Sequence, residues 1–217
     1  MDLSGTTVAL DGFGVEAGNE VLLEGIRRAT ADGINVRVFG PASDIDLSAI
    51  ERAELIDTVD FITNEDDPVP SVRSRKESSI VRAVADVAAG NSSAVVSLGS
   101  TGATLAAATF GLKRSRGVKR PALAGVVPLP GKDVVFLDIG ANVEVRAQHL
   151  SQFAYLGSAF SQSVLGVESP TVGLLTVGEE SGKGREEFVE AHATLSGADE
   201  LNFPGNIEGG DVPRGTV

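Results

Sequence analysis

Short apolar runs rich in β-branched residues alternate along this chain with segments of helical periodicity. Thr7–Asp11 and Ala94–Leu98 are two of the apolar runs, and Asn19–Asp32 carries apolar residues at helical spacing and ends before Gly33. Such alternation is typical of a mostly parallel sheet with helices on both faces. It predicts an α/β protein whose ligands bind at the carboxyl ends of the strands.

The same alternation continues to the end of the chain. The predicted strands are Asn35–Phe39, Asp57–Thr63, Leu123–Val127, Val134–Leu137, Thr171–Val177 and Leu201–Phe203, and the predicted helices run from Ser78 or Ser79 to about Ala89, from Ala103 to about Leu112, over Ala147–Leu165 and over Glu186–Ser196. An acidic loop is expected over Asn64–Pro70. A length of 217 residues with no repeat or clean linker fits a single α/β domain over 1–217.

Composition excludes several classes of site. Thirty acidic against 18 basic residues give a net charge of −12, which argues against nucleic-acid binding but leaves room for a local anion pocket. The absence of Cys excludes thiolate nucleophiles and Cys-ligated metals, and no His/Asp metal cluster is visible. No apolar run reaches about 18 residues and the start lacks a secretory signal, so we expect a cytoplasmic protein.

Glycines and polar residues follow several of the predicted strands. Gly99-Ser100-Thr101-Gly102 joins a buried strand to a helix. Free amides at a helix N-terminus, two hydroxyls and close backbone approach suit a phosphate or carboxylate. The alternative is an ordinary helix cap.

Three other segments allow two interpretations each. Asp138 could orient a cation or act as an acid–base group, and Asn142 could polarise a carbonyl, or both could form an Asx turn. The loop Gly178–Gly184 resembles a Walker A loop but is one residue short and lacks Ser or Thr after Lys183, so we reject an NTPase. Lys183 either reaches an anion or is a solvated surface residue. The third segment bears bases beside a helix start and either holds an anion or is a solvated charge run; it comprises Arg73, Arg75, Lys76, Ser78 and Ser79.

Two enzyme classes fit poorly. The segment Gly12–Ala17 imitates a dinucleotide-binding fingerprint, but the second strand runs into Gly40 and Pro41 instead of ending in a ribose-binding acid. A serine hydrolase is disfavoured because there is no Gly-x-Ser-x-Gly, and His149 and His192 are the only histidines. We expect His149 to be structural.

Several motifs resemble those of one known family in their order and spacing, and together they extend over nearly the whole chain. They are Val8–Asp11, Asp67-Pro68 through Arg73, Lys76, Ser78 and Ser79, Thr101–Ala103, Arg120–Ala122, Leu137–Asn142, His149-Leu150 with Gln152–Ala154, Gly173–Leu175 with Gly178–Glu180, Lys183-Gly184, and Asn202-Phe203 with Gly205–Gly209. On these motifs the chain resembles the PlsX family of phosphate acyltransferases. The resemblance implies α/β/α layers of the isopropylmalate-dehydrogenase-like type, a homodimer, no cofactor, and association at the membrane surface, although no amphipathic anchor is evident.

The activity that the resemblance implies is formation of acyl phosphate from acyl carrier protein thioester and inorganic phosphate. Lys183, Asn142 and Asp138 would be catalytic: Lys183 neutralises phosphate or the oxyanion, Asn142 donates to the carbonyl, and Asp138 orients the site. The residues expected to bind phosphate or substrate are Gly99, Ser100, Thr101, Gly102, Lys76, Ser78, Ser79, Glu179, Gly182 and Asn206, of which Glu179, like Glu180, is expected mainly to position Lys183.

The chain departs from the family pattern in places. The first loop reads Asp11-Gly-Phe-Gly-Val-Glu-Ala17 where the family has Asp-Ala-Met-Gly-Gly-Asp and soon a Pro, and Ser100 and Thr176 each replace an Asn. The resemblance also extends only to about Asp211, whereas family members continue, so we expect an incomplete N-terminal portion of a longer catalytic domain. Two alternatives stay open: a shortened homologue that binds phosphate or an acyl ligand without turnover, and a nicotinamide-dependent oxidoreductase.

An acidic carrier protein would need a local basic patch on this acidic chain. The candidates are Arg73, Arg75, Lys76, Arg114, Arg116, Lys119 and Arg120. That these residues form one face is an expectation.

Overall fold

A computed structural model describes residues 5–215, and the chain divides between Lys113 and Arg114 into two compact units. The first unit contains a four-stranded sheet of order β3-β2-β1-β4 in which every pairing is parallel. Its elements are β1 Thr7–Asp11, α1 Asn19–Ala31, β2 Asn35–Gly40, β3 Ala53–Asp57, α2 Pro68–Ser74, α3 Ser79–Ala88, β4 Ala94–Ser97 and α4 Thr101–Gly111. The predicted α/β class with a mostly parallel sheet is confirmed.

Apolar residues on both faces of this sheet are buried. Leu22 and Ile26 of α1 belong to one apolar cluster with Val36 and Val38 of β2. A second cluster joins strands β1 and β2 to Ala83 of α3. Burial on both faces explains why these strands read as almost continuous apolar runs.

The second unit contains two smaller sheets. The strands β5 and β6 form an antiparallel hairpin, and β7 and β8 pair in parallel. The elements are β5 Ala124–Leu129, β6 Lys132–Leu137, α5 Ala147–Leu165, β7 Thr171–Leu175, α6 Glu186–Ser196 and β8 Asn202–Ile207. Ala147 of α5, Leu174 of β7 and Ala191 of α6 share one apolar cluster, so this helix pair covers β7.

Two local predictions were wrong. The third strand is Ala53–Asp57 and not Asp57–Thr63, because the later segment pairs only through an isolated bridge between Asp60 and Ser78. The expected loop Asn64–Pro70 gives way at Pro68 to α2, with Asp67 as its N-cap residue. Proline is well suited to a first helical turn because its missing N–H would have no intrahelical acceptor there.

Two further observations concern the described residues, 5–215. None of their helices combines the length and the apolar character that a membrane span requires. Within the same range, no group of three or more His, Asp or Glu residues is arranged to hold a metal ion. The expectation of one domain over 1–217 stays a prediction.

Candidate active site

The loop Gly99–Gly102 lies at the carboxyl end of β4 and leads into α4. Ser100 is the N-cap residue, and its Oγ accepts a 3.4 Å hydrogen bond from the Ala103 amide. Thr101 and Gly102 occupy the first turn of α4, where backbone amides have no intrahelical acceptor. The four predicted residues of this loop therefore stand together at a helix N-terminus, where a phosphate would meet amide donors and the positive end of the helix dipole.

Neighbouring loops fix the position of this loop. A Cβ on Gly14 would lie 2.4 Å from the Gly99 Cα, so the first loop packs directly against Gly99. A Cβ on Gly102 would lie 3.2 Å from Pro68 Cγ, which brings α2 against the first turn of α4. The Phe13 ring stacks on the Phe61 ring with centroids 4.4 Å apart. Packing on two sides restricts the loop to a narrow range of positions.

Asp11, at the end of β1, is a buried carboxyl group beside the loop, only 4% exposed. Its Oδ2 accepts a 2.8 Å hydrogen bond from the Ser97 hydroxyl, whose oxygen accepts a 3.1 Å hydrogen bond from the Gly99 amide. Burial raises the pKa of Asp11, and its hydroxyl and amide neighbours offset this only in part. The Ser79 hydroxyl is one of these neighbours, although it lies outside hydrogen-bond geometry. Sequence reasoning listed Asp11 only as part of a motif and gave it no role.

The predicted anion-binding segment before α3 is engaged within the fold. Ser78 is fully buried, and its hydroxyl donates to the Arg75 carbonyl at 2.8 Å. Lys76 Nζ donates to the Val72 carbonyl at 3.2 Å. Arg75 forms ion pairs with Asp60 and with another carboxylate of the preceding loop. These contacts account structurally for Arg75, Lys76 and Ser78, whereas the buried Ser79 hydroxyl makes no hydrogen bond among the described residues. Phosphate binding by Lys76, Ser78 and Ser79 stays a prediction.

In the second unit, Asp138 organises the loop after β6. Its carboxylate accepts hydrogen bonds from the amides of Leu123 at 2.8 Å, Ala141 at 2.9 Å and Asn142 at 2.7 Å. Burial tends to raise the pKa of Asp138, but these hydrogen bonds together hold it below its ordinary value. A carboxylate with this many donors is a poor general base, so the geometry favours the orienting role.

The Asn142 side chain is also engaged in this loop. Its Nδ2 donates to the Pro121 carbonyl at 2.9 Å and to Asp138 at 3.0 Å, and its Oδ1 accepts from Arg120 at 3.4 Å. Donation to a substrate carbonyl therefore requires one of the two Nδ2 bonds to break. Its predicted catalytic role remains a prediction.

Lys183 is an exposed residue in the loop between β7 and α6. Its Nζ lies 3.8 Å from the carboxylate of Glu180, and its amide donates to the Glu180 carbonyl at 2.9 Å. Asn206 Nδ2 donates to that same carbonyl at 2.8 Å, and Asn206 Oδ1 lies 2.9 Å from His192 Nδ1. Asn206 therefore supports the loop that carries Lys183, and His192, to which sequence reasoning gave no role, supports Asn206.

The remaining predicted residues of this loop, Glu179 and Gly182, are exposed. No hydrogen bond or ion pair among the described contacts defines a role for either, and their part in the site stays a prediction.

A cluster of positive charge surrounds the start of α5. His149 is buried, and its Nδ1 accepts from the Arg146 amide at 3.2 Å, which agrees with the structural role expected for it. Burial lowers the pKa of His149, and so do the charges of Arg120, Arg146 and Lys119. Lys119, Arg120 and Arg146 are called the basic cluster below.

The loop after β1 does not form a dinucleotide site. The helix α1 begins at Asn19, beyond the whole imitation fingerprint, whereas the fingerprint must open directly into its helix. Gly14 also faces Gly99 and not open space. The nicotinamide alternative therefore has no support in the geometry.

Comparison with known proteins gives a consistent result. The model of the fatty acid synthesis protein family matches residues 6–217. Proteins named phosphate acyltransferase from Clostridium botulinum (strain Loch Maree / Type A3) and Streptococcus pneumoniae (strain ATCC 700669 / Spain 23F-1) are each 39% identical to the chain. Each match covers 97% of this chain and 65% of the relative, so the chain spans about two-thirds of their length.

Solved structures show the same fold. The EutD phosphotransacetylase from Staphylococcus aureus matches with a TM-score of 0.66 at 20% identity, covering 95% of this chain and 70% of that one. A branched-chain phosphotransacylase from Enterococcus faecalis V583 matches with a TM-score of 0.62 at 17% identity, covering 94% and 68%. With the motifs in place and the family model matched from residue 6 to residue 217, the chain belongs to the fatty acid synthesis protein family, as the resemblance to phosphate acyltransferases implied.

Proposed function

We propose that this chain contributes the phosphate-binding part of an enzyme that forms acyl phosphate from acyl carrier protein thioester and inorganic phosphate. The observation that carries the proposal is the Gly99–Gly102 loop at the N-terminus of α4, in a chain whose relatives are named phosphate acyltransferase. A tetrahedral dianion needs several convergent donors and a positive potential, and a helix N-terminus supplies both.

In the proposed reaction, a phosphate oxygen attacks the thioester carbonyl carbon. A C–O bond to phosphate forms, the carbonyl oxygen becomes an oxyanion, and collapse of that intermediate expels the carrier thiolate. Phosphate is the nucleophile, so no Cys or Ser–His pair is required. The protein has to position the reactants and stabilise the oxyanion, and one donor to such an oxyanion is worth about 10²–10³ in rate.

Lys183 is assigned to charge neutralisation. Its ion pair with Glu180 joins two exposed side chains, and such pairs contribute about 0–1 kcal/mol, so the ammonium can leave its partner for phosphate or the oxyanion at low cost. The backbone contact from Asn206 to Glu180 keeps the loop in place while the lysine moves.

The test is acyl phosphate formation, trapped with hydroxylamine, by this chain and by a version extended to the length of the relatives. Lys183→Ala should lower kcat by at least about tenfold, and Lys113→Ala, at a lysine outside the proposed site, should not. If Lys183→Ala keeps the wild-type rate, the assignment of Lys183 is wrong. If neither length of protein forms acyl phosphate from a carrier thioester, the proposed function is wrong.

Docking of an acidic carrier protein is assigned to the basic cluster. Arg120 contacts Asn142 in the loop after β6. Lys119 contacts Gln152 of α5, and Arg146 is the N-cap residue of that helix, so local positive charge lies on a chain of net charge −12. Charge complementarity of this kind chiefly raises association rates and makes them sensitive to salt. Lys119→Glu should raise KM for the carrier thioester at 50 mM salt much more than at 500 mM, with KM for phosphate unchanged.

A non-catalytic homologue is the second candidate. The observation that favours it is the Asn142 side chain, whose Nδ2 donates to two partners inside its own loop. Phosphate binding by both protein lengths with no acyl phosphate formed would support this candidate.

The proposal also includes a cytoplasmic homodimer that associates with the membrane surface. Sedimentation in solution and flotation with anionic vesicles test the two parts separately.

A further inference from the structure

We propose that Asp11 is a positioning residue that holds the Gly99–Gly102 loop in its phosphate-binding position through the hydroxyl of Ser97. The inference rests on the proposed function in one respect only, namely that the ligand of the loop is phosphate. The hydrogen bonds that join Asp11 to Ser97 and Ser97 to the Gly99 amide are called the relay below, and all three groups lie in the first unit.

The first argument is the direction of the hydrogen bonds. A serine hydroxyl has one hydrogen and two lone pairs. Ser97 gives its hydrogen to Asp11 Oδ2 at 2.8 Å and accepts the Gly99 amide at 3.1 Å. Because the carboxylate takes the hydrogen, a lone pair of Ser97 is turned towards Gly99. Asp11 therefore fixes the first residue of the loop through the Ser97 hydroxyl.

The second argument is the location of Asp11. β1 pairs with β4 in parallel, and Asp11 lies directly opposite Ser97 in the register. The last residues of two adjacent strands therefore meet at the edge of the sheet where the loop begins. Asp11 also accepts a weak 3.4 Å hydrogen bond from the Phe13 amide, so the same carboxylate links the first loop to the second.

The third argument is the cost of this arrangement. The neighbours of the Asp11 carboxyl are hydroxyls and an amide, and no ion pair to it occurs among the described contacts of residues 5–215. Burying a carboxylate without a cationic partner destabilises a fold. An apolar residue would serve the strand better, so stability alone does not account for Asp11, and groups perturbed in this way cluster at functional sites.

The test compares Ser97→Ala with Ser97→Thr, which keeps a hydroxyl at the same position, and with Ser93→Ala just before the other end of the same strand. Amide hydrogen exchange of Gly99 and titration with inorganic phosphate, both followed by NMR on the 217-residue chain, are the two measurements. One neutral hydrogen bond is worth about 1 kcal/mol, so Ser97→Ala should raise the exchange rate of Gly99 and weaken phosphate binding by roughly fivefold each. Ser97→Thr and Ser93→Ala should stay within about twofold of wild type.

Asp11→Leu, which keeps the branched shape of aspartate but has no atom that accepts the Ser97 hydrogen, provides the readout that a purely structural role would not give. It should weaken phosphate binding as Ser97→Ala does, while its thermal midpoint at neutral pH stays at or above that of wild type because a buried charge has been removed. Asp11→Asn, whose amide oxygen still accepts from Ser97, should bind phosphate nearly as well as wild type. The double variant of Asp11→Leu and Ser97→Ala should bind phosphate no more weakly than Ser97→Ala alone, because both changes break one relay.

Three results separate the inference from the proposed function. Unchanged Gly99 exchange in Ser97→Ala overturns the inference, whatever happens to phosphate. Additive losses in the double variant also overturn it. If wild type binds no inorganic phosphate, the proposed function is refuted, and the exchange of Gly99 still decides whether the relay holds the loop.

Discussion

Replacing Gly14 by Ala should displace the Gly99–Gly102 loop, and replacing Gly18 by Ala should not. Both glycines lie in the segment between β1 and α1, and both have a positive φ, 80° at Gly14 and 88° at Gly18. A methyl group at Gly18 would meet nothing within 4 Å, whereas at Gly14 it would lie 2.4 Å from the Gly99 Cα. The two substitutions therefore share backbone strain and differ in contact with the loop.

The sizes of the two effects follow from these distances. Backbone conformations that L-residues rarely adopt cost about 1–3 kcal/mol, and Gly18, at φ 88° and ψ 167°, lies in a region almost confined to glycine, so both variants should lose stability of that order. Two non-bonded carbon atoms normally lie at least about 3.5 Å apart, so in Gly14→Ala the Gly99 backbone has to move away by about 1 Å. A displacement of about 1 Å at a reacting group can reduce a rate by about 10²-fold. We expect kcat/KM for phosphate to fall by roughly 10- to 100-fold in Gly14→Ala and by less than about twofold in Gly18→Ala.

The assay pairs a stability measurement with a site measurement on each variant. Urea unfolding gives the loss of stability, which should be larger for Gly14→Ala because displacement of the Gly99 backbone adds to the backbone strain that both substitutions introduce. Phosphate titration, followed by the amide resonances of Thr101 and Gly102, gives affinity, and acyl phosphate formation in the extended protein gives kcat/KM. The temperature is kept well below both unfolding midpoints, so that loss of folded protein does not enter the rate.

Two results would refute this reasoning. If Gly14→Ala and Gly18→Ala bind phosphate equally well at similar stability, contact between Gly14 and Gly99 does not set the loop position. If both lose binding equally, the effect comes from strain in the first loop and not from displacement of the second.

The remaining predictions concern stability. Ile26→Ala should cost about 2–5 kcal/mol in urea unfolding because Ile26 is 1% exposed, whereas Val21→Ala on an exposed part of α1 should cost less than about 1 kcal/mol. Because burial raises the pKa of Asp11, the folded state holds the proton more tightly than the unfolded chain does. Stability should therefore fall as the pH rises from the ordinary aspartate pKa through the raised pKa. In urea midpoints measured at successive pH values, Asp11→Asn should reduce that fall. The hydrogen bond from Arg75 lowers the pKa of Asp60 in the folded state. The pair therefore stabilises the fold at pH values above the pKa of Asp60 in the unfolded chain, and this stabilisation is lost as the pH falls through the lowered pKa of the folded state. Arg75→Gln should remove that part of the acid dependence of the urea midpoint.

The regular elements were the most predictable part of this fold. The bounds predicted for β1, α5 and α6 match the structure to within a residue, because their apolar periodicity and flanking glycines are local signals. The helix α2 was missed although Asp67 followed by Pro68 is a recognisable start, since the two prolines of this short segment also read as a loop. The third strand was misplaced because β-branched residues after Asp57 suit a strand, while pairing with β2 ends at that residue.

The candidate site was predictable in its residue types and much less in its contacts. The loop at Gly99–Gly102 could be found because strand, glycines and helix start are adjacent in sequence. The Asp138 carboxylate accepts from nearby amides, as an Asx turn would, and also from the Leu123 amide, which lies outside the motif. The burial of Ser78 likewise includes a bridge to Asp60, so sequence alone left both the anion-binding and the structural interpretations open. Asp11 could not be assigned a role because its partner Ser97 is 86 positions away, on a strand whose pairing with β1 had to be observed.

Ser100 replaces an asparagine of the family pattern, and this replacement keeps the helix cap but changes the hydrogen-bond donors available to a ligand. Serine and asparagine are about equally good N-cap residues, and Ser100 does accept the Ala103 amide, so the helix start survives the replacement. An asparagine in the same place would cap with its oxygen and donate from a separate NH₂ group, whereas serine caps and donates at one oxygen and has a single hydrogen to give. The proposed phosphate would therefore meet fewer side-chain hydrogens at this position, and the Thr101 hydroxyl and the first-turn amides would supply a larger share of the donors. The loop position, which Gly14 and Asp11 control from outside the loop, accordingly matters more here than in a chain with the amide side chain.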